Sequence, residues 1–301
     1  MGRLDGRVAI VTGAGRGIGA AVAEGLAAEG AHVVASDLGV SMDGSGADES
    51  PAREVVDRIR ASGGTARTDH TDVASWAAAE KLIRSTVDEY GRLDVLVNVA
   101  GILRDRMIFN MAEDDWDAVI DVHLKGTFNT TRHAASYWRE NQGGDYRLIN
   151  FTSGAGIYGA PSQPNYAAAK LGIVGLTLSC ANALRRYGVT SNCIAPVATT
   201  RMTMGIASSK AVNQYDPANE RMSPANVVPI VLYLASTESG WLNRRVIGAG
   251  NGRISLFRES GVEREIVASS GVWETASAFA EIEGAFRSAI EHPNPFDRPR
   301  G

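Results

Sequence analysis

The chain has 301 residues, 44% of them hydrophobic and 21% charged, with 33 glycines. That composition supplies a sizeable core and excludes a wholly disordered or fibrous chain, while the length suits one large domain or two small ones. A formal charge of −4 offers no basic field for a polyphosphate backbone, which argues against nucleic acid and for a small or coenzyme-sized ligand.

The two cysteines, Cys180 and Cys193, make neither a disulfide framework nor a four-thiolate metal site. No charged-then-apolar leader precedes Val8, and no uncharged apolar run approaches the ~20 residues that span a bilayer. A reduced, cytoplasmic protein without a membrane partner is therefore expected. Of the 30 basic residues only Lys81, Lys125, Lys170 and Lys210 are lysines.

Short apolar runs at Val8–Val11, His32–Ala35, Asp94–Val97, Leu148–Phe151 and Val189–Ile194 alternate with stretches of helical period such as Ala20–Glu29 and Trp76–Tyr90. Strands alternating with helices predict βαβ units: an α/β, doubly wound parallel sheet with helices on both faces. The turn-rich Gly39–Ser50 predicts an exposed, mobile loop leading to a helix that starts near Pro51. No linker interrupts this rhythm, so residues 1–250 read as a single domain and 251–301 as a C-terminal extension. After Ile247 the sequence GAGNGRISLF predicts a last strand and turn. An amphipathic helix is expected over Val272–Ile290, with Trp273, Phe279, Ile282, Phe286 and Ile290 mostly at three- and four-residue steps, and the proline-rich end reads as irregular.

Between the first strand and an alanine-rich helix lies Thr12-Gly13-Ala14-Gly15-Arg16-Gly17-Ile18-Gly19. Glycines there allow a tight turn and close backbone approach, and a helix N-terminus presents free N–H groups to a pyrophosphate. A purely structural turn fits the same letters. Asp37, ending the second strand 18 residues after Gly19, stands close to the ~20-residue spacing of a ribose-binding acid. Its carboxylate repels a 2′-phosphate, which favours NAD over NADP. Arg16 points the other way, since it could pair with that phosphate, or it is simply solvated.

Tyr166 and Lys170 stand four positions apart in PNYAAAKLG, where Pro164 and three alanines mark the first turns of a helix, so both side chains share one face. A phenol with pKa near 10 is a poor base at neutral pH. An ammonium ~4 Å away at an effective dielectric of ~20 contributes roughly 4 kcal/mol, equivalent to ~3 pKa units before desolvation is subtracted. The charge is expected to win and bring the phenol near the operating pH. In an arginine-rich chain, a lysine at 170 suggests a need for its compact, adjustable ammonium. A partly exposed helix face is the plainer reading. Ser153, thirteen residues earlier and just past a strand, suits either a substrate-orienting hydroxyl or a turn.

Taken together, TGAGRGIG, the NVAG at Asn98–Gly101, Ser153 and Tyr166-x-x-x-Lys170, in this order and spacing, resemble the short-chain dehydrogenase/reductase family over about residues 5–250. The resemblance implies a Rossmann-type subunit, dimeric or tetrameric, that moves a hydride between a nicotinamide and a carbon bearing a hydroxyl or carbonyl. By that resemblance Ser153 orients the substrate oxygen, Tyr166 is the acid/base, and Lys170 lowers the tyrosine pKa and binds nicotinamide ribose. It likewise implies an adenine contact at Asp72 and Val73, a cofactor-lining loop at Asn98, Ala100 and Gly101, and a nicotinamide loop that begins at Pro196 and contacts the carboxamide through Thr199 or Thr200.

Three departures stand out against the family pattern. Val99 replaces a second asparagine, Val197 replaces the glycine after Pro196, and His123 replaces a helix asparagine that anchors water in a proton relay. A relay through His123 is expected to add pH sensitivity near neutrality; a spectator role fits equally.

The segment GILRDRMIFNMAEDDWDAVIDVHLKGTF, the long loop after Asp37 and SGAGIYGAPSQPNYAAAKLG further resemble the dehydrogenase part of peroxisomal multifunctional enzyme type 2 and related bacterial hydroxyacyl-CoA and steroid dehydrogenases. The implied reaction oxidises a (3R)-hydroxyacyl-CoA to the 3-ketoacyl-CoA with NAD. Arg104 and Arg106 are candidates for the coenzyme A phosphates, and Met202–Tyr215 for the acyl pocket. The same chemistry on a steroid, polyketide or other alcohol stays open, as does a non-catalytic NAD-binding regulator.

Overall fold

In the computed structural model of the chain, residues 2–198, 220–259, 261–268, 271–272 and 274–289 are described, without the side chains of 276, 279 and 287–289. Met202–Tyr215 and Thr199–Thr200 lie outside the described residues. The chain divides after Phe257 into a unit Met1–Phe257 and a unit Arg258–Gly301.

Among the described residues the first unit is built on seven parallel strands: β1 Val8–Thr12, β2 His32–Ser36, β3 Thr65–Asp69, β4 Val95–Asn98, β5 Tyr146–Phe151, β6 Val189–Val197 and β7 Val246–Gly250. A short β8, Arg253–Leu256, pairs antiparallel to β7, and the sheet order is β3-β2-β1-β4-β5-β6-β7-β8. Because β8 is hydrogen-bonded into the sheet, the division falls several residues beyond the expected 250. The chain reverses its direction of winding between β1 and β4, which opens a crevice at the strands' carboxyl ends, the place where such sheets take their ligands.

The helices covering the sheet are α1 Gly17–Ala28, α2 Ser50–Ala61, α3 Trp76–Tyr90, α4 Glu113–Ile120, α5 Gly126–Glu140, the short α6 Gly154–Tyr158, α7 Pro164–Leu184 and α8 Val228–Ala235. Strand side chains alternate between faces. Ala9, Val11, Val33, Ala35, Val95 and Val97 pack in one cluster with Val22, Leu26, Val55 and Val231, while Ile10, Val34, Leu96 and Leu148 pack in another with Leu82, Ile83 and Trp138. Each such buried Val, Leu or Ile contributes roughly 1.5–3 kcal/mol of transfer free energy.

Helix α3 begins and ends as its sequence dictates. The Ser75 side chain accepts the Ala78 N–H, and Gly91 takes the left-handed conformation at φ 73°, the two commonest helix-ending devices. The stretch Pro164–Tyr187 is long and apolar enough by composition to cross a membrane. It carries the buried Lys170, and α7 is tied into the sheet: the Thr177 hydroxyl accepts from Asn150 Nδ2 at 2.9 Å and its carbonyl accepts from Ser191 Oγ at 3.0 Å. In the second unit the predicted helix is α9, Thr275–Ala289, with Ile282 exposed; Trp273 and Ile290 lie outside the described residues.

Candidate active site

The glycine loop turns sharply between β1 and α1. Gly13 has φ +67°, and a Cβ there would stand 2.8 Å from Ala100 Cα; one at Gly19 would collide with the Gly13 carbonyl. Only glycine lets the loop lie this close to the β4 exit. No side chain caps α1, so its first N–H groups face the crevice without a side-chain acceptor, as pyrophosphate binding requires.

Asp37, just past β2, fastens the loop from the side. One oxygen accepts the Gly15 N–H at 2.7 Å and the other the Gly39 N–H at 2.7 Å, leaving a lone pair on each oxygen for a ribose hydroxyl. The Arg16 guanidinium turns to the β2–α2 loop, 3.7 Å from Asp48 Oδ2 and 3.5 Å from the Val40 carbonyl.

Beyond β5, Ser153 is the N-cap of α6, accepting the Ala155 N–H at 3.2 Å. Its hydroxyl also hydrogen-bonds the Tyr166 phenol. The turn reading of Ser153 therefore holds, with the same hydroxyl directed at the tyrosine. Tyr166 rises from the first turn of α7, and Lys170, one turn later and buried, donates Nζ to the Phe151 carbonyl at 2.9 Å. The nitrogen lies 5.5 Å from the centre of the Tyr166 ring.

Serine, tyrosine and lysine thus converge, but their electrostatics differ from the expectation. Burial pushes the Tyr166 phenol up to about 12, with the Ser153 hydrogen bond lowering it and Asp105 raising it further. Burial pushes Lys170 down to about 8. Desolvation wins over charge attraction because the ammonium spends its hydrogen bond on Phe151 and sits over the ring rather than at the hydroxyl.

Between α4 and α5 the helix widens into a single π turn, Asp121–Lys125, that carries His123 inward. Such bulges recur at functional sites. The imidazole is buried, its ring edge-on to Tyr166 with centroids 5.1 Å apart. Its Nε2 lies 2.7 Å from the Ile102 carbonyl and 3.0 Å from the Ile102 N–H; the nearer carbonyl assigns the proton to Nε2, leaving Nδ1 as a buried lone pair without a hydrogen-bond partner among the described residues. A Cβ on Gly101 would collide with this ring.

Burial first, then the Lys170 charge, hold His123 well below its ordinary pKa, against the Ile102 hydrogen bond that raises it. The ring is neutral at neutral pH, so the expected pH sensitivity is corrected: a His⁺ here would face an ammonium in a dry pocket. Between pH 6 and 8 the pH–rate profile of His123→Asn should keep the wild-type shape. A wild-type limb in that window that vanishes in the variant would show that the ring titrates.

Other predicted residues scatter more widely. Asp72 is exposed and accepts the Ala74 N–H at 2.9 Å, and the buried Val73 offers its carbonyl to Asn129 Nδ2 at 2.9 Å. The Asn98 side chain, expected at the cofactor, is committed to the core: Nδ2 donates to Asn150 Oδ1 at 3.0 Å and Oδ1 accepts from Thr130 Oγ1 at 2.8 Å. Its neighbours are the ones at the crevice, with the Val99 and Ala100 N–H groups donating to Thr12 Oγ1 at 3.2 and 3.3 Å.

Pro196 does not open a loop, because β6 continues through Val197, which pairs with Gly250. Nor is Arg104 free for phosphates: it donates to the Asp43 carbonyl at 2.8 Å and the Asp114 carbonyl at 3.1 Å, strapping the β2–α2 loop to α4. Arg106 donates to the Asp105 carbonyl at 2.8 Å.

Three residues at the site were not read from the sequence: Asp105, Gln163 and Asn165. Asn165 clamps the tyrosine's backbone, donating Nδ2 to the Arg104 carbonyl at 3.0 Å and the Asp115 carbonyl at 2.9 Å while its Oδ1 accepts the Tyr166 N–H at 2.8 Å. A polar letter just ahead of the tyrosine was the available hint.

A glycine-rich turn at the switch point, an acid at the end of β2 and a Ser-Tyr-Lys group beside them define a nucleotide-cofactor oxidoreductase. The chain belongs to the short chain dehydrogenase family, whose pattern matches residues 7–211, and binding of NAD or NADP follows from that membership. It is 42% identical over 296 residues to hydroxyacyl-CoA dehydrogenase ChsB1 of Mycobacterium tuberculosis, covering 94% of this chain and 89% of that protein. To the mouse peroxisomal multifunctional enzyme type 2 it is 41% identical over 256 residues, 85% of this chain but 33% of that longer protein. The crystal structure of a short chain dehydrogenase from Mycobacterium avium superimposes with a TM-score of 0.84 at 44% identity, covering 97% of this chain and 98% of that one.

Proposed function

We propose that this enzyme oxidises a (3R)-hydroxyacyl-CoA to the 3-ketoacyl-CoA with NAD. The observation that carries the reading is the convergence of Ser153, Tyr166 and Lys170 at the carboxyl end of β5, alongside the glycine loop. The substrate class is supported by the names of the relatives, a hydroxyacyl-CoA dehydrogenase and a multifunctional enzyme whose dehydrogenase part this chain resembles.

In this reading Ser153 donates a hydrogen bond to the substrate oxygen, and Tyr166 accepts the hydroxyl proton as the carbon gives up its hydride. The ammonium of Lys170 favours the phenolate that receives the proton. NAD, when bound, supplies the hydride acceptor and a positive ring that further favours the phenolate. His123 holds the segment that follows the cofactor loop by its hydrogen bond to Ile102.

NAD over NADP is supported by Asp37, whose carboxylate would meet a 2′-phosphate, and by Arg16 being drawn toward Asp48. A homodimer or homotetramer is the proposed assembly.

A panel of 3-hydroxyacyl-CoAs with short, long and steroid-ring acyl groups, together with free steroid and polyketide alcohols, tests this by NADH formation. Expected are turnover of at least one CoA ester and a kcat/KM for NAD about 100-fold or more above that for NADP, as loss of about 3 kcal/mol at a repelled phosphate would give. Turnover confined to the free alcohols, or a preference for NADP, sinks the reading.

A further inference from the structure

The loop between β2 and α2 is folded on itself. The Ser41 N–H donates to the Ser45 carbonyl at 2.8 Å and the Gly44 N–H to the Ser41 carbonyl at 3.0 Å, while Asp43 Oδ1 accepts the N–H and the hydroxyl of Ser45 at 3.0 and 2.7 Å. These bonds make the middle of the loop a compact strap.

The strap is tied to both banks of the cofactor crevice. On the bank of the glycine loop, Asp37 Oδ1 accepts the Gly39 N–H at 2.7 Å, and the Arg16 guanidinium lies 3.5 Å from the Val40 carbonyl and 3.7 Å from Asp48 Oδ2. On the bank beyond β4, the Leu103 N–H donates to the Met42 carbonyl at 2.8 Å, and Arg104 donates Nε to the Asp43 carbonyl at 2.8 Å. Val40 packs against the apolar cluster that contains Ile102. Gly44, at φ +88°, passes so near Ile102 that a Cβ there would stand 3.0 Å from its Cδ1, a conformation and an approach that glycine permits. A dinucleotide held between Asp37 and the Ser-Tyr-Lys group has to pass beneath this bridge.

The ties are modest one by one. They are hydrogen bonds near the surface, exchanged for bonds to water when they break, and a segment held in that way opens locally far more often than the whole fold. Arg104 fastens two elements at once, since its Nη1 also donates to the Asp114 carbonyl on α4 at 3.1 Å. Its planar fork serves both carbonyls with separate nitrogens, whereas a lysine would bring a single point donor.

We propose that Arg104 is a positioning residue, a latch that holds the β2–α2 strap across the crevice so that the dinucleotide enters and leaves only when the strap lifts. The proposal rests on the crevice being the cofactor site. The latch bonds run to protein carbonyls, so they act with the cofactor bound and without it. Losing them should speed entry and exit together and leave the affinity little changed. Losing a cation that merely attracts the pyrophosphate would instead slow entry.

Association and dissociation of the reduced cofactor, NADH or NADPH, whichever the wild type binds, are followed by stopped-flow fluorescence in the full-length wild type, Arg104→Ala and Arg104→Lys. Dissociation is started with excess oxidised cofactor. Hydrogen exchange of the Leu103 amide, which the strap protects through Met42, reads the opening directly in the same proteins.

In Arg104→Ala both rate constants should rise about tenfold, the weight of one hydrogen bond to a charged donor, with Kd within about threefold of wild type. The Leu103 amide should exchange about tenfold faster. Arg104→Lys, which keeps the charge and loses the fork, should share most of the acceleration. Dissociation at the wild-type rate in Arg104→Ala, association that does not rise, or a lysine variant with wild-type rates overturns the proposal. Unchanged exchange at Leu103 overturns it without reference to any cofactor. A wild-type chain that binds neither reduced cofactor removes the site on which the proposal rests, a result distinct from binding with unaltered rates.

Discussion

Replacing Tyr166 with phenylalanine is expected to lower kcat by about 10³-fold, within the 10²–10⁴ range of general acid–base contributions, while the Kd for NADH changes less than about threefold. The substitution deletes one oxygen. The ring stays against Ile102, Val119 and Ala169 and edge-on to His123, and the Asn165 clamp acts on the backbone of residue 166. Nothing that shapes the glycine loop or Asp37 is touched, so the cofactor surface survives. Losing the Ser153 hydrogen bond costs the fold about 1 kcal/mol at most, and thermal unfolding should move little. Steady-state rates with a reactive hydroxyacyl-CoA and NADH fluorescence titration check both halves. A variant that retains the wild-type rate would remove Tyr166 from the mechanism altogether.

The sheet and the glycine loop were readable because their signals are local. A four- or five-residue apolar run, a glycine-rich turn and a helical period each lie within one stretch of chain, and β1, α1, β2 and α3 fall within a few residues of where those signals place them. Ser153, Tyr166 and Lys170 were readable as letters for the same reason.

Protonation states were not, because they depend on which atoms other elements bring close. His123 is neutral through burial and a lysine 47 positions away. Burial lowers Lys170 and raises Tyr166, each toward its neutral form, and that burial is made by elements distant in sequence. Asn98 looked like a cofactor ligand, yet its amide belongs to a buried ladder running from Thr130 through Asn98 and Asn150 to Thr177, whose members come from four elements. Asp105 and Gln163 stand 58 positions apart, and no periodicity connects them. Pro196 shows the converse error: a residue associated with loops lies inside a strand because its partner there, β7, tolerates it at the sheet's carboxyl end.

Lys170→Met should separate what the enzyme needs for turnover from what it needs for stability. In the folded chain Lys170 titrates at about 8, below its ordinary 10.5. Between those two values the unfolded chain binds more protons at this site than the folded one, so wild-type stability rises as pH increases through that window and levels off above 10.5. At pH 7 the lysine is charged in both states, and its burial costs about 3 kcal/mol, the full span of the shift at 1.36 kcal/mol per unit. Methionine occupies similar volume without the charge. The variant forfeits the hydrogen bond to Phe151, worth about 1.5–3 kcal/mol with a charged donor, which leaves a net gain of up to about 2 kcal/mol at pH 7 and a rise in Tm of a few degrees. By pH 10.5 the charge no longer weighs on the wild type, and the order should close up or invert as the lost hydrogen bond dominates. Calorimetry at pH 7 and pH 10 reads both signs, and a variant no more stable than wild type at pH 7 would show that the ammonium is already compensated where it lies. Activity should fall by about 10²-fold or more alongside the gain, since the phenolate formed at Tyr166 would lose the ammonium that Lys170 places at its ring. A stabilising substitution that disables the enzyme marks a group kept in an unfavourable place for its chemistry.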